Sequence, residues 1–356
     1  MKVREEPRRP SILGRGAAGN PKNRFDRIEV VPDPDELDPE KPRTVFLKDA
    51  SRSIVARNNS PDVGFDASIN PYRGCEHGCS YCYARPTHEY LGFSAGLDFE
   101  SRILVKEDAP ELLRKELSSP RWEPTVLSLS GVTDCYQPVE KKLGLTRRCL
   151  EVLAQFRNPV AVVTKNHLVT RDVDLLSELA RHGAASVAIS LTTLDEDLRR
   201  TMEPRTSRPV RRLAAIETLS QAGIAVGVMT APVIPGLNDH ELPALISAAA
   251  EAGAGFAAYT VVRLPYAVRP LFEDWLARNF PERKEKVLNC IQTIRDGKLN
   301  DACFGSRMRG EGIFAEHIAQ LFSLSCRRAG IEGKRFPRLS TASFRRNGGI
   351  QPGLFD

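Results

Sequence analysis

The chain has 356 residues, 41% of them hydrophobic and 27% charged, as in an ordinary soluble globular protein with room for one large α/β domain or two smaller ones. It contains no run of eighteen apolar residues, and its N-terminal MKVREEPRRPSILGRG lacks the apolar core of a secretory signal. No membrane partner and a cytoplasmic location are therefore expected. A net charge of +6 permits DNA or RNA as a partner without demanding one.

Residues 1–60 are rich in Pro, Arg, Asp and Asn, with one short apolar stretch, TVFL at 44–47, and read as an N-terminal extension that wraps the domain or stays mobile. Their charge is uneven: residues 1–27 carry eight Lys/Arg against three Asp/Glu, while residues 29–40 carry six acidic side chains and no basic one. Candidate strands then follow at Ala67–Asn70, Thr125–Leu129, Val160–Thr164, Ser186–Leu191, Ile224–Met229 and Phe256–Val262. Several are nearly continuous apolar runs, the pattern of parallel strands buried on both faces. Helices lie between them, with Thr146, Asp172 and Asp239 as candidate caps, Pro209 at a first turn, and Gly183, Gly223 and Gly253 as stops.

Most strand starts lie about one βα unit apart, which predicts a partial (βα)6 TIM-type barrel over residues 61–265, with a doubly wound sheet as the alternative. Residues 266–356 are predicted to add C-terminal helices and a basic tail, residues 326–356 carrying seven Lys/Arg against two Asp/Glu.

Eight cysteines without a secretory context argue against disulfides, and three of them crowd into eight residues: Cys75-Glu-His-Gly-Cys79-Ser-Tyr-Cys82. The loop follows the first candidate barrel strand, at the end where barrel enzymes place their chemistry. Three thiolates at this spacing can hold three irons of a cubane and leave the fourth open, and soft thiolates suit Fe–S or zinc. A structural zinc site would need a fourth ligand, which His77 or His88 could provide, but no second C-x2-C pair exists in the chain.

C-x3-C-x2-C with an aromatic, Tyr81, before the last cysteine resembles the signature of the radical S-adenosylmethionine (SAM) superfamily. INPYRGCEHGCSYCYARP, SGVTDCYQPVE, VVTKN, ISLTTLDEDLRRTMEPRTS and APVIPGLND are similar to the spore photoproduct lyase-related group, often labelled DNA repair photolyase-like. The resemblance implies a [4Fe–4S] cluster on Cys75, Cys79 and Cys82. It also implies SAM chelated to the open iron and cleaved by one electron to a 5′-deoxyadenosyl radical, with a flavodoxin or ferredoxin as electron donor.

By the same resemblance Lys165 and Ser190 match SAM-contacting positions. Glu203 and Arg205 either help hold the SAM carboxylate or form a structural ion pair, and Tyr81 stacks on the cofactor or shields the cluster. In the lyase a cysteine near the end of strand two returns a hydrogen atom to the product radical. Here that position is Gly131, and Cys135 stands four residues later as a candidate thiol donor. The glycine puts thymine-dimer reversal in doubt. Three functions follow: a radical SAM enzyme repairing or modifying nucleic acid, one acting on a peptide, protein or small metabolite, and a non-catalytic zinc-binding module.

Overall fold

The computed structural model describes residues 11–26, 43–331 and 336–346. The acidic stretch 29–40, the first ten residues and the last ten lie outside these. Among the described residues ten strands form in chain order: β1 Val45–Lys48, β2 Val55–Arg57, β3 Ala67–Ile69, β4 Tyr72–Arg73, β5 Arg102–Val105, β6 Leu127–Leu129, β7 Val160–Thr164, β8 Ala185–Ser190, β9 Ala225–Val233 and β10 Phe256–Val261.

Six of them, β3, β6, β7, β8, β9 and β10, pair in parallel in chain order, and β2 adds antiparallel to β3. The sheet keeps two edges, β2 and β10, so the architecture is a partial (βα)6 barrel. Each candidate strand forms, and β9 runs on past Met229 to Val233. Every residue of β3, β6 and β8 is buried, which accounts for their lack of apolar–polar alternation. β1, β5 and β4 make a separate small sheet, in which β1 covers most of the TVFL stretch.

None of the three expected helix caps acts as one: helix Leu242–Glu251 starts at Glu241, and Asp239 accepts instead from the Gly236 amide at 3.0 Å. The other two are claimed by tertiary partners. The helix Leu145–Phe156 starts at Gly144, which has φ 64°, and the Thr146 hydroxyl donates to the Cys135 carbonyl at 2.6 Å. Asp172 stands at the start of helix Val173–Ala180, but its carboxylate serves Tyr136, Arg147 and Arg171. In both cases tertiary partners outcompete the helix's own amides for a buried polar side chain.

The described residues 11–26 of the extension pack against the segment that follows the cysteines. The Gly16 and Ala17 amides donate to the two oxygens of buried Glu100 at 3.1 and 2.9 Å, and Asn23 Nδ2 donates to the Glu89 carbonyl at 2.9 Å. Only glycine fits at position 16, because a Cβ there would lie 1.8 Å from the Gly78 carbonyl oxygen. The tail crosses the opposite end: the Ser340 and Arg345 amides donate to Gly183 and Phe156, which precede β8 and β7. The helices Val268–Asn279 and Lys284–Thr293 pack Phe272, Trp275 and Ile291 into one cluster with Cys79 and Tyr81. The C-terminal helices thus cover one side of the cysteine loop.

His88 is fully buried, packs between Phe93 and Phe99, and donates Nε2–H to the Arg102 carbonyl at 2.9 Å, while Nδ1 has no partner among the described residues. Burial pulls its pKa down to about 4, so the ring is neutral in the fold and protonates first in the unfolded chain. The folded pKa is the lower one, so His88's contribution is complete above pH 6.5 and shrinks as pH falls toward 4. Between pH 7 and 5 we expect about 2 kcal/mol of stability to be lost in urea melts of wild type and retained by His88→Gln.

Candidate cofactor site at the barrel mouth

The chain leaves β3, turns through β4 and enters the cysteine loop over the carboxyl ends of the barrel strands. Buried polar groups hold the loop backbone from every side. Arg85, fully buried, donates from Nε and Nη2 to the Cys79 carbonyl at 3.0 and 2.8 Å and from Nη1 to the Gly96 carbonyl at 3.0 Å, and it pairs with buried Glu100. Gln137 accepts from the Glu76 amide at 2.9 Å and donates to the Gly74 carbonyl at 3.1 Å. The Cys75 amide donates to Phe99 at 2.8 Å and the Ser80 amide to Met202 at 3.0 Å. Gly78 adopts φ 66°, and a Cβ there would meet Glu100 Oε2 at 2.7 Å. A loop so constrained presents its side chains in one fixed arrangement.

Cys75 and Cys79 are each 7% exposed, Cys82 is partly buried, and none is in a disulfide. Burial above all pushes the three thiols up. Asp134 and the two other thiols add to this for Cys75, and Glu203 adds to it for Cys79, while Arg85 and Lys165 work the other way on Cys82. The three sulfurs are therefore close enough to feel one another's charge. Among the described residues no three His, Cys, Asp or Glu side chains converge on one ion-sized point.

Of the two histidines considered as zinc ligands, His77 is engaged, while His88 is bonded through Nε2 alone and its ring is packed between Phe93 and Phe99. His77 sits against Asp134 at 3.3 Å and Asn166 at 3.4 Å, and His88 is bonded to Arg102. Soft, buried, uncommitted thiols beside cationic groups fit an Fe–S cubane with one open corner.

Lys165, which follows β7, stands next to this loop. Its ammonium, 15% exposed, donates to Ser190 Oγ at 2.6 Å, Thr192 Oγ1 at 3.2 Å and the Ala231 carbonyl at 3.2 Å, and lies 5.6 Å from the Tyr81 ring centre. Glu203, wholly buried, gathers Lys165 at 3.1 Å, Thr192 at 2.7 Å, the Tyr81 hydroxyl and the Arg212 guanidinium. Burial alone would raise this carboxyl, yet Arg212 and Lys165 outweigh it and hold Glu203 far below the usual carboxylate range. It is ionised and fully committed to these donors.

Glu203 and Arg205 do not pair. Arg205 reaches Glu76 at 3.0 Å, and the buried ion pair of Glu203 is with Arg212. Arg212 escaped sequence reading although it shares a helix face with Ile216 and Leu219; an arginine in line with a core stripe was the available signal. Arg85 and Glu100 carried no comparable signal, since their partners are backbone groups brought close only by the fold.

Tyr81, Lys165, Ser190 and Glu203 thus meet at one point, with Thr192 among them. Arg205 is a step away, paired with Glu76 of the cysteine loop. Cys135 lies in the main apolar core beside Tyr136, 1% exposed, while its neighbour Asp134 accepts from the Lys165 amide at 2.8 Å and from Thr164 at 2.7 Å. Despite burial, His77 and these donors hold the Asp134 carboxyl below its ordinary value.

An open parallel barrel with three uncommitted cysteines and an ammonium at its mouth defines a cofactor-dependent barrel protein. The family model of the radical SAM superfamily matches residues 69–249, about half of the chain, and the chain belongs to that superfamily. Its members use a [4Fe–4S] cluster and S-adenosylmethionine. An uncharacterized protein of Mycobacterium tuberculosis is 39% identical over 226 residues, which are 63% of this chain and 66% of that protein, a little under two thirds of its length. Another, from Methanocaldococcus jannaschii, is 28% identical over 221 residues, 62% of this chain and 79% of that one.

Among solved structures the fold is similar to spore photoproduct lyase complexed with dinucleoside spore photoproduct. The TM-score is 0.56 at 16% identity, covering 80% of this chain and 79% of that one. Among the described residues no helix is long and apolar enough to cross a membrane.

Proposed function

We propose that the chain is a radical SAM enzyme whose Cys75, Cys79 and Cys82 each ligate one iron of a [4Fe–4S] cluster, and that it repairs or modifies nucleic acid. The carrying observation is the trio of buried, uncommitted thiols next to the Lys165 ammonium at the barrel mouth. With both cofactors bound, one electron delivered through the cluster would cleave SAM to methionine and a 5′-deoxyadenosyl radical that takes hydrogen from the substrate.

The chain's own residues would set the stage for this. Lys165 and Ser190 offer an ammonium and a hydroxyl to the carboxylate and ribose of SAM, and Glu203 orients Lys165 without meeting the ligand. Tyr81 holds one side of that ammonium, and Trp275 and Phe272 exclude water behind the loop. Arg205 acts through Glu76, as a support of the loop. Residues 61–265 would form the catalytic core, with 1–60 as an N-terminal extension and 266–356 as C-terminal helices and a basic tail. A flavodoxin or ferredoxin is the expected class of electron donor.

Cys135 is the candidate for the return of a hydrogen atom to the product radical, a role that requires a path from the apolar core in which it lies to the barrel mouth. Burial, with the Asp134 charge, pushes its thiol up, so the sulfur retains the hydrogen that such a donor needs. Cys135→Ala is expected to divert the product radical to side products, detectable by mass spectrometry. An unchanged product pattern would remove Cys135 from the mechanism.

Nucleic acid is favoured as substrate by the barrel shared with spore photoproduct lyase and by the mouth itself. There Arg263 lies 5.6 Å from the ring centre of half-exposed Tyr83, the residue after Cys82. The test is anaerobic: reconstitute the cluster, add dithionite and SAM, and quantify 5′-deoxyadenosine with and without nucleic acid. Iron-loaded protein that forms none under either condition would refute the catalytic reading. Turnover stimulated by peptides and not by DNA or RNA would move the substrate to the peptide class.

A further inference from the structure

Exposed aromatic rings are costly to leave in water, and a tight group of them around one cation marks a contact surface. Such a group stands on three separate segments. Phe25 belongs to the N-terminal extension, Tyr90 to the 3-10 helix Arg85–Leu91 that follows the cysteines, and Tyr266 to the loop after β10. They are 53%, 71% and 70% exposed. The Arg24 guanidinium sits among them, 4.7, 5.2 and 4.0 Å from the three ring centres in the same order, and is held by Glu89 at 3.3 Å.

Phe25 and Tyr90 lie 5.0 Å apart, tilted by 42°, so their outer faces stay open. Tyr266 takes φ 48°, a left-handed backbone that a residue with a large side chain rarely adopts, and thereby holds its ring out from the loop. Three residues before it, Arg263 follows β10 at the mouth, with no hydrogen-bond partner on Nε among the described residues. Aromatic faces interleaved with guanidinium groups beside a catalytic mouth match the chemistry of unpaired bases on a phosphate backbone.

We propose that Arg24, Phe25, Tyr90 and Tyr266 form a stacking platform for single-stranded nucleic acid, seating unpaired bases that flank the one presented to the barrel. The platform deepens the nucleic-acid reading above and rests on it. Stacking accounts for the rings, since every base offers a π-face, and Arg24 with Arg263 supplies the charge that a backbone seeks. Duplex DNA has no free faces to offer and is expected to bind less well.

The test measures fluorescence anisotropy of the cluster-loaded full chain with labelled oligothymidylate or oligouridylate of about twelve nucleotides, against duplex and an unstructured peptide. Single strands are expected to bind at least about tenfold more tightly than duplex. Tyr90→Ala and Tyr266→Asn should each weaken them about tenfold, with the melting temperature unchanged. Asparagine suits position 266 because it tolerates the left-handed backbone while removing the ring. Tyr90→Phe should restore wild-type affinity, and Arg24→Ala should reduce the salt dependence, which the ring variants leave alone.

Absence of single-strand binding, affinity indifferent to both ring variants, or tighter binding of the peptide would overturn the platform. Wild-type protein that produces 5′-deoxyadenosine but binds no single strand refutes the platform and leaves the radical chemistry standing. Binding without 5′-deoxyadenosine does the reverse.

Discussion

Cys75→Ala, Cys79→Ala and Cys82→Ala are each expected to reduce bound iron and sulfide to background after reconstitution, and 5′-deoxyadenosine formation below detection. A cubane held by three protein thiolates has no spare ligand: His77 is taken by Asp134 and Asn166, and the His88 ring is packed between Phe93 and Phe99. The loss should not be a folding effect. Removing a buried or partly buried thiol deletes one small group, while Arg85, Glu100, Gln137 and Glu76 continue to hold the loop backbone.

Two controls separate ligation from general damage. Cys303→Ala, at an exposed position, is expected to change nothing, and Cys149→Ala, in the core, to lower stability by about 1 kcal/mol with iron content intact. Iron retention in Cys82→Ala, or equal loss in Cys149→Ala, would contradict the ligand assignment.

Glu203→Gln should be nearly as damaging for a different reason. Among the described residues the carboxylate is the only counter-charge that touches buried Arg212, and it also holds Lys165; both cations would lose it while the shape stays the same. Breaking one partner of a buried pair costs about 3–5 kcal/mol, because the remaining charge stays out of water without compensation. The unfolding free energy is therefore expected to drop by that amount, and SAM affinity to fall as Lys165 loses its direction.

The double variant Glu203→Leu/Arg212→Leu separates the two effects. Replacing both charges by apolar groups should recover most of the stability and none of the SAM binding. Stability of Glu203→Gln within about 1 kcal/mol of wild type would show that the pair is not the anchor described here.

The six parallel strands, their order and the place of the cysteine loop were legible in the sequence. Local patterns specify these: apolar runs of strand length, glycine stops, and three thiols at a diagnostic spacing after the first strand. Strands doubly buried in a parallel sheet advertise themselves because every side chain must be apolar or small, as in Ala185–Ser190. Helix starts were less legible. A polar residue at the right place predicts a cap only while no tertiary partner claims it, and at Thr146 and Asp172 such partners exist.

The candidate site divides along the same line. The sequence by itself determined the thiol trio, and family resemblance pointed to Lys165, Ser190 and Glu203. Only the tertiary structure decided that Glu203 pairs with Arg212 and Arg205 with Glu76, that Arg85 and Glu100 clamp the loop, and that Arg24, Phe25, Tyr90 and Tyr266 share one surface. The reason is distance along the chain. Tyr90 and Tyr266 approach the same guanidinium only once six strands have closed part of a barrel, and no local pattern encodes a contact that the whole sheet must first bring into range.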